Sequence, residues 1–200
     1  MRHTALFLAV ALAGAGLDLL TKHLAFKHVP GTAPYAGEVP IVDGFFTFGE
    51  TLNKGVIFGM GQNAQWVWYA ISILAIPAIL AIYFSVRKPK WILTISLGMI
   101  LAGTIGNMVD RVFTEAHAVR DFLKFFYRDA NGLEHVWPLF NLADSFICVG
   151  VFLLTVEMLF FDEKKKKAEK QEPAAPSLAP ALPAGASEGR PAPGPAVEGK

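Results

Sequence analysis

The sequence predicts an all-α membrane protein: four transmembrane helices, a small β-rich extracytoplasmic cap and a disordered C-terminal tail. Three observations carry this. Four apolar runs are each long enough to cross the hydrocarbon core of a bilayer, which takes about 20 residues of helix. Hydrophobic residues make up 53% of the 200 positions and charged ones 18%, with a mean hydropathy of +0.40, so the charges must gather at segment ends and in tails. Basic residues also cluster beside alternate run ends, which fixes a topology.

The first span takes residues 5–26. It follows Arg2 and His3 and contains Ala13-Gly14-Ala15, as a cleavable secretory signal would, yet the apolar run continues through Leu17, Leu19, Leu20 and Leu24. That length favours a retained helix. Asp18 and Lys22 lie four residues apart on one face of it, as an intrahelical pair that lipid would turn toward the other helices. Residues 29–65 form a first outward loop. There Phe45-Phe46-Thr47-Phe48, between Gly44 and Gly49, reads as a strand, Asn53-Lys54-Gly55 as a turn and Val56-Ile57-Phe58 as a returning strand. Such a cap is too small to hold its own core.

The second span, 66–84, opens on the interfacial aromatics Trp66, Trp68 and Tyr69 and carries Pro77 in its middle. Arg87-Lys88-Pro89-Lys90 connects it to the third span, 91–110, which ends in the polar residues Asn107, Asp110 and Arg111. A second outward loop, 113–138, contains Asp121 and a turn at Asp129-Ala130-Asn131-Gly132. The fourth span, 139–161, opens on Phe140-Asn141-Leu142-Ala143-Asp144-Ser145 and completes a domain of residues 1–161. Residues 162–200 begin with four lysines and turn rich in proline and alanine. Such a tail cannot bury enough apolar area to offset its ordering entropy.

Arg2, the Arg87 to Lys90 group and the lysine run from Lys164 all fall on one side of a four-span chain. The positive-inside rule makes that side the cytoplasm, places both termini there and turns both loops outward. Asp18, Asp110, Asn141 and Asp144 then converge near the outer leaflet. Asn107 with Asp110, and Asn141 with Asp144, repeat an i, i+3 spacing that sets each amide on the helical face of its carboxylate. A carboxylate inside a span is costly unless it is paired, hydrated or used, which makes Asp144 a candidate functional residue.

Other classes fit less well. The Lys and Arg residues form short groups rather than a basic face, which argues against a nucleic-acid partner. Cys148 stands alone, and the five histidines form no H-E-x-x-H pattern, so neither a metal site nor another cofactor is expected. No G-x-S-x-G surrounds a serine. Two carboxylates in a partly dehydrated site cannot both ionise easily, so one can hold a proton while the other activates water. That is the chemistry of an aspartyl hydrolase. The rival reading is a non-enzymatic transporter or proton-conducting protein that uses Asp18, Asp110 and Asp144 as a relay.

The chain from about Leu6 to Leu159 resembles the bacterial lipoprotein signal peptidases (signal peptidase II). The resemblance rests on Asp18-Leu19-Leu20-Thr21-Lys22, Asn53-Lys54-Gly55 with Phe58, Gly103 through Gly106-Asn107-Met108-Val109-Asp110-Arg111, Val119-Arg120-Asp121-Phe122 and Phe140-Asn141-Leu142-Ala143-Asp144, in that order. It departs at Thr104, at Val56-Ile57 and in the Thr114 to Ala118 connection. The resemblance implies a multi-pass aspartyl protease of the bacterial inner membrane that takes lipid-modified prolipoproteins from among the membrane lipids and cuts before the diacylglyceryl-modified cysteine, and the chain is expected to act as a monomer. It implies Asp121 and Asp144 as the catalytic pair, with the loop around Asn53 and the segment 122–137 closing over them. Asp110, held with Arg111, would be structural. Asp18, Lys22, Asn53, Gly55, Asn107, Arg111, Asn141 and Ala143 would support the site or contact substrate.

Overall fold

The computed structural model describes residues 2–29, 37–55 and 65–171. Four helices in it are long and apolar enough to cross a membrane: α1 (Arg2–His28), α2 (Gln65–Ser85), α3 (Trp91–Phe113) and α4 (Leu142–Gln171). At 1.5 Å of rise per residue the shortest, α2, extends about 30 Å, the thickness of the hydrocarbon core. Pro77 is accommodated within α2, which stays continuous.

α3 is the hub. It packs against each of the other three helices, and 56% of its apolar window is buried, against 11–22% in the others. The remaining helices turn large apolar side chains outward, among them Leu12, Leu74 and Phe152, as lipid-facing surfaces do. Close approach to α3 depends on residues with almost no side chain. A methyl group on Gly103 would strike the backbone carbonyl of Ala143 in α4, and one on Gly106 would strike the carboxylate of Asp18 in α1. Toward the other end of the bundle, Phe7, Ala11, Ile79, Tyr83, Leu97 and Leu101 form the apolar core, with the Phe7 and Tyr83 rings stacked at 4.0 Å.

At the end where α1 and α3 finish and α4 begins lies a four-stranded antiparallel sheet in the order β1 (Val39–Val42), β2 (Phe46–Asn53), β3 (Val119–Arg128), β4 (Glu134–Val136). The α1–α2 and α3–α4 loops therefore contribute to one sheet. The expected strand at 45–48 is the start of β2, which runs to Asn53 and pairs with β1 and β3. The other expected strand, Val56-Ile57-Phe58, lies outside the described residues. β3 was not expected, because its buried side chains include Asp121 and Lys124 and so break the apolar alternation that marks a half-buried strand. Lys124 is satisfied by Glu38 at 2.8 Å and Glu134 at 2.9 Å. The turn at 129–132 is present, closed by Asn131 and Leu133 N–H groups donating to the Asp129 carboxylate.

Two boundaries are corrected. α4 begins at Leu142 rather than 139, because Phe140 pairs with β3: its carbonyl accepts the N–H groups of Phe122 at 3.1 Å and Leu123 at 2.9 Å. α4 also continues through the lysine run to Gln171, so the tail expected to lose structure from 162 starts as helix. Glu, Lys, Ala and Gln are good helix formers, so the helix continues through them. Residues 172–200 lie outside the described residues.

Gly103→Leu should separate α3 from α4 and lower the melting temperature in detergent, at a cost of about 1–3 kcal/mol for overpacking. Gly16 has open space around its Cα. Gly16→Ala should instead leave the melting temperature unchanged or raise it, by up to about 1 kcal/mol.

Candidate active site

The site assembles where one turn of α1, the last turns of α3, the end of β2, the start of β3 and the first turn of α4 meet. Its foundation is ionic. Lys22 is fully buried and its ammonium reaches three acceptors: Asp18 Oδ2 at 2.8 Å, Asn107 Oδ1 at 2.9 Å and Asp110 Oδ2 at 3.1 Å. A buried cation is tolerable only when its hydrogen-bonding positions are filled like this. Asp18 uses its other oxygen to accept the backbone N–H of Ala143 at 2.8 Å, one of the first-turn donors of α4 that have no partner within the helix. The pair expected within α1 is therefore present and also bridges to α3 and α4.

Asp110 is held by Lys22 and by Arg120, not by Arg111 as the motif suggested. Arg120 gives it a backbone N–H at 3.0 Å, Nε at 3.0 Å and Nη2 at 2.6 Å. The adjacent Arg111 points elsewhere because successive helical residues diverge by about 100°. Its guanidinium reaches Ser72 Oγ of α2 and its own helix's Asn107 carbonyl, both at 3.3 Å. Its backbone carbonyl accepts from Tyr69 Oη at 2.7 Å. Arg120, Ser72 and Tyr69 are thus supporting residues that sequence reasoning did not select. Arg120 was visible beside Asp121, since neighbouring strand residues face opposite ways and Asp110 needed a cation.

Three amides stand on this foundation and connect the two remaining carboxylates. Asn141 is the N-cap of α4 and Asp144 its third residue. The Asn141 carbonyl oxygen Oδ1 accepts the Asp144 N–H at 3.0 Å, and Asp144 Oδ2 accepts the Asn141 N–H at 3.2 Å, a reciprocal capping box. Asn141 Nδ2 donates to Asp121 Oδ1 at 2.6 Å and to Asn107 Oδ1 at 3.1 Å, while Asn107 Nδ2 donates to Asp144 Oδ1 at 2.8 Å. Asn53 Nδ2 donates to the second Asp121 oxygen at 3.0 Å, and Asn53 Oδ1 accepts the Gly55 N–H at 2.9 Å. Gly55 has φ +95°, and a side chain there would enter the Trp68 ring, so the turn needs glycine. Ala143, fully buried beside Gly103 and Gly106, can be no larger.

All eleven residues expected at the site come together here. The i, i+3 spacing does set each amide on the face of its carboxylate: Asn107 and Asp110 share the Lys22 ammonium, and Asn141 and Asp144 share the start of α4. Asn141 and Asp144 do pair with one another, but as a helix cap. Asn107 instead turns to Asp144 across the helix interface, and Asp110 turns to α1 and β3.

Asp121 is 1% exposed. Burial, reinforced by the charge of Asp144 and offset in part by the amides of Asn53 and Asn141, pushes its carboxyl from the ordinary 3.8 up to about 7. Asp144 is half-buried, with both oxygens accepting hydrogen bonds at the positive end of α4. Two carboxyl groups in unequal surroundings, linked by rigid amides, can serve as acid and base on one substrate. Among the described residues no three Cys, His, Asp or Glu side chains gather as a metal site.

A family model described as signal peptidase (SPase) II matches residues 10–160. A lipoprotein signal peptidase of Bacillus pumilus (strain SAFR-032) is 36% identical over 152 residues, covering 76% of this chain and 91% of its own. A lipoprotein signal peptidase of Symbiobacterium thermophilum is 33% identical over 162 residues, 80% of this chain and 97% of its own. Two solved structures described as bacterial membrane enzymes share the fold, each at 22% identity, with TM-scores of 0.64 and 0.62. They cover 83% and 77% of this chain, and this chain covers 92% of each.

Because Asp121 holds a proton when folded that the unfolded chain releases near 3.8, its contribution to stability is full below that value and is lost as pH rises through about 7. The melting temperature should therefore fall between pH 5 and pH 8 more steeply in the wild type than in Asp121→Asn. Parallel slopes in a detergent melting series would contradict the assignment.

Proposed function

The chain belongs to the signal peptidase II family, and on that basis we propose that it is an aspartic endopeptidase that removes signal peptides from lipid-modified prolipoproteins, using Asp121 and Asp144 as its catalytic pair. The observation that carries the pair is the amide chain Asp121–Asn141–Asn107–Asp144, which fixes two carboxyl groups without consuming either in a salt bridge. Asp18 and Asp110, by contrast, are bound by Lys22, by Arg120 and by backbone N–H groups. They are positioning residues, and the same saturation removes them from any proton relay, so the transporter reading is not favoured.

In this reading the chain lies in the bacterial inner membrane with both termini cytoplasmic, the sheet outside and the site at the outer leaflet. The basic groups at Arg2, Arg87 to Lys90 and Lys164 to Lys167 support that orientation. Substrate arrives sideways from the bilayer, its diacylglyceryl chains staying among lipid and its scissile bond at the interface, just before the modified cysteine. One copy of the chain suffices, since every residue of the site comes from it.

Asp144, as carboxylate, takes a proton from water while the oxygen attacks the scissile carbonyl carbon. Asp121, protonated at rest, donates its proton to the carbonyl oxygen, which gives a neutral tetrahedral diol. Asp121 then recovers a proton from that diol as the carbonyl re-forms, and Asp144 gives the proton it took to the departing amine. Both groups return to their starting states. Asn53 and Asn141 orient Asp121, and Asn107 orients Asp144. Arg111, whose charge is within electrostatic reach of both, stabilises negative charge on the pair.

With a lipid-modified prolipoprotein in membranes, Asp121→Asn and Asp144→Asn should each lower cleavage by about two to four orders of magnitude, the usual contribution of a general acid or base. Wild-type cleavage should decline as pH rises past about 7, where Asp121 loses its proton. Absent cleavage by the wild type, or full cleavage by both variants, would overturn the proposal.

A further inference from the structure

α2 and α4 both pack on α3, yet no Cα of one lies within 8 Å of the other among the described residues, whereas α1 touches α4 directly. A lateral gap therefore separates α2 from α4. At its head Arg111 of α3 reaches Ser72 of α2, and Asn107 of α3 reaches Asp144 of α4. The gap thus leads away from the candidate active site between two membrane-spanning helices.

The contacts of α4 identify the flank that borders it. Phe146 is turned toward Gly14 of α1, and Ala143, Ile147 and Gly150 meet α3. With successive residues about 100° apart, Asp144, Cys148, Val151, Thr155 and Met158 fall on the side turned away from Phe146. They step by four, three, four and three residues, the seam spacing by which one helix receives another at a shallow crossing angle. After the half-buried Asp144 the other four are exposed, so this seam has no helix of the chain upon it among the described residues. Cys148, Val151 and Thr155 are small, as close helix contacts inside a membrane require, while the adjoining Phe152 and Leu159 are large and exposed. The Thr155 hydroxyl donates to the Val151 carbonyl at 2.8 Å, which leaves its methyl group to the seam.

We propose that the apolar helix of the substrate's signal peptide docks along this seam, antiparallel to α4. The proposal rests on the peptidase reading, since cleavage at Asp144 and Asp121 fixes where the substrate chain must run. The signal peptide precedes the scissile bond, so its helix ends at the site where α4 begins. Its apolar segment of about 7–15 residues extends about 10–22 Å as a helix. From Asp144 to Met158 the seam extends about 21 Å, which matches. Acyl chains also cover exposed stripes of a membrane helix, but they need neither a helical register nor an origin at a catalytic carboxyl. Val151 and Thr155 set how closely the signal helix approaches, and so which signal peptides fit.

The test uses the full chain in detergent with lipid-modified prolipoprotein peptides that carry one added cysteine at successive positions of the apolar segment. Cys148 is the only cysteine of the chain, and the substrate's own cysteine is blocked by its lipid, so a disulfide formed with copper phenanthroline reports one pair. Its yield, to cut or uncut signal peptide, should peak on one face of the signal helix and fall at least about tenfold two residues to either side. Cys148→Ser with Val149→Cys moves the thiol about 100° around α4 and should lower the peak at least about tenfold. In an independent measurement, Val151→Trp with Thr155→Trp should raise KM about tenfold and leave kcat within about twofold, the mark of lost uniform binding. Val149→Trp should leave both within about twofold. Equal disulfide yields from positions 148 and 149 would overturn the proposal, as would an unchanged KM in the Val151 and Thr155 double variant. So would the absence of any disulfide with Cys148 while the wild type cuts the same peptides. A wild type that cuts none of them overturns the peptidase reading itself, and the docking with it.

Discussion

The ammonium of Lys22 lies inside the helix bundle with no exposed surface, and the geometry at that end depends on it. Removing such a charge from water costs several kcal/mol, and two anions, Asp18 and Asp110, offset it. With Arg120 the cluster holds two cations and two anions and is neutral as a whole. Ion pairs of this kind contribute little net stability over a well-packed apolar cluster. Their value is directional. The Lys22 hydrogen bond to Asn107 fixes which end of that amide is oxygen, and the Asn107 Nδ2 then has to face Asp144.

From there the constraint spreads through backbone as well as side chains. Asp18 caps α4 through Ala143, Asp110 holds the N–H of Arg120, and Phe140 ties the residue before the α4 cap to β3. Asp121 and Asn141 are thereby fixed on strand and helix by contacts other than their own 2.6 Å hydrogen bond. Gly103, Gly106 and Ala143 are the steric counterpart of this wiring, since a larger side chain at any of them would part the helices that carry it. Held in that way, the amides keep two like charges close enough to influence each other. Burial first, and that proximity second, raise the proton affinity of Asp121.

The spans and the polar cluster were legible in the sequence because hydrocarbon thickness and the expense of buried charge leave few alternatives. Pairings were less legible. Asn107 and Asp110 share a spacing with Asn141 and Asp144, yet the first pair is mid-helix, where side chains must find partners on other elements, and the second is at a helix start, where they satisfy backbone. Position within the helix decided between them, and α4 was expected three residues too early to show it. β3 was hidden for a related reason. Asp121 and Lys124 occupy buried positions that a stable strand normally fills with apolar groups, so these buried polar residues erased the pattern that would have revealed the strand. Arg120 as the partner of Asp110 followed only once β3 was in place.

The claim that Lys22 sets the catalytic geometry is tested most directly by Lys22→Met combined with Asp18→Asn. The pair removes one cation and one anion, keeps the cluster neutral and leaves an Oδ1 to cap Ala143. Circular dichroism and the melting temperature should stay close to wild type, while the rate of prolipoprotein cleavage at saturating substrate falls about a hundredfold, the size of effect expected from a misplacement of about 1 Å. A folded double variant that cleaves at the wild-type rate would contradict the account.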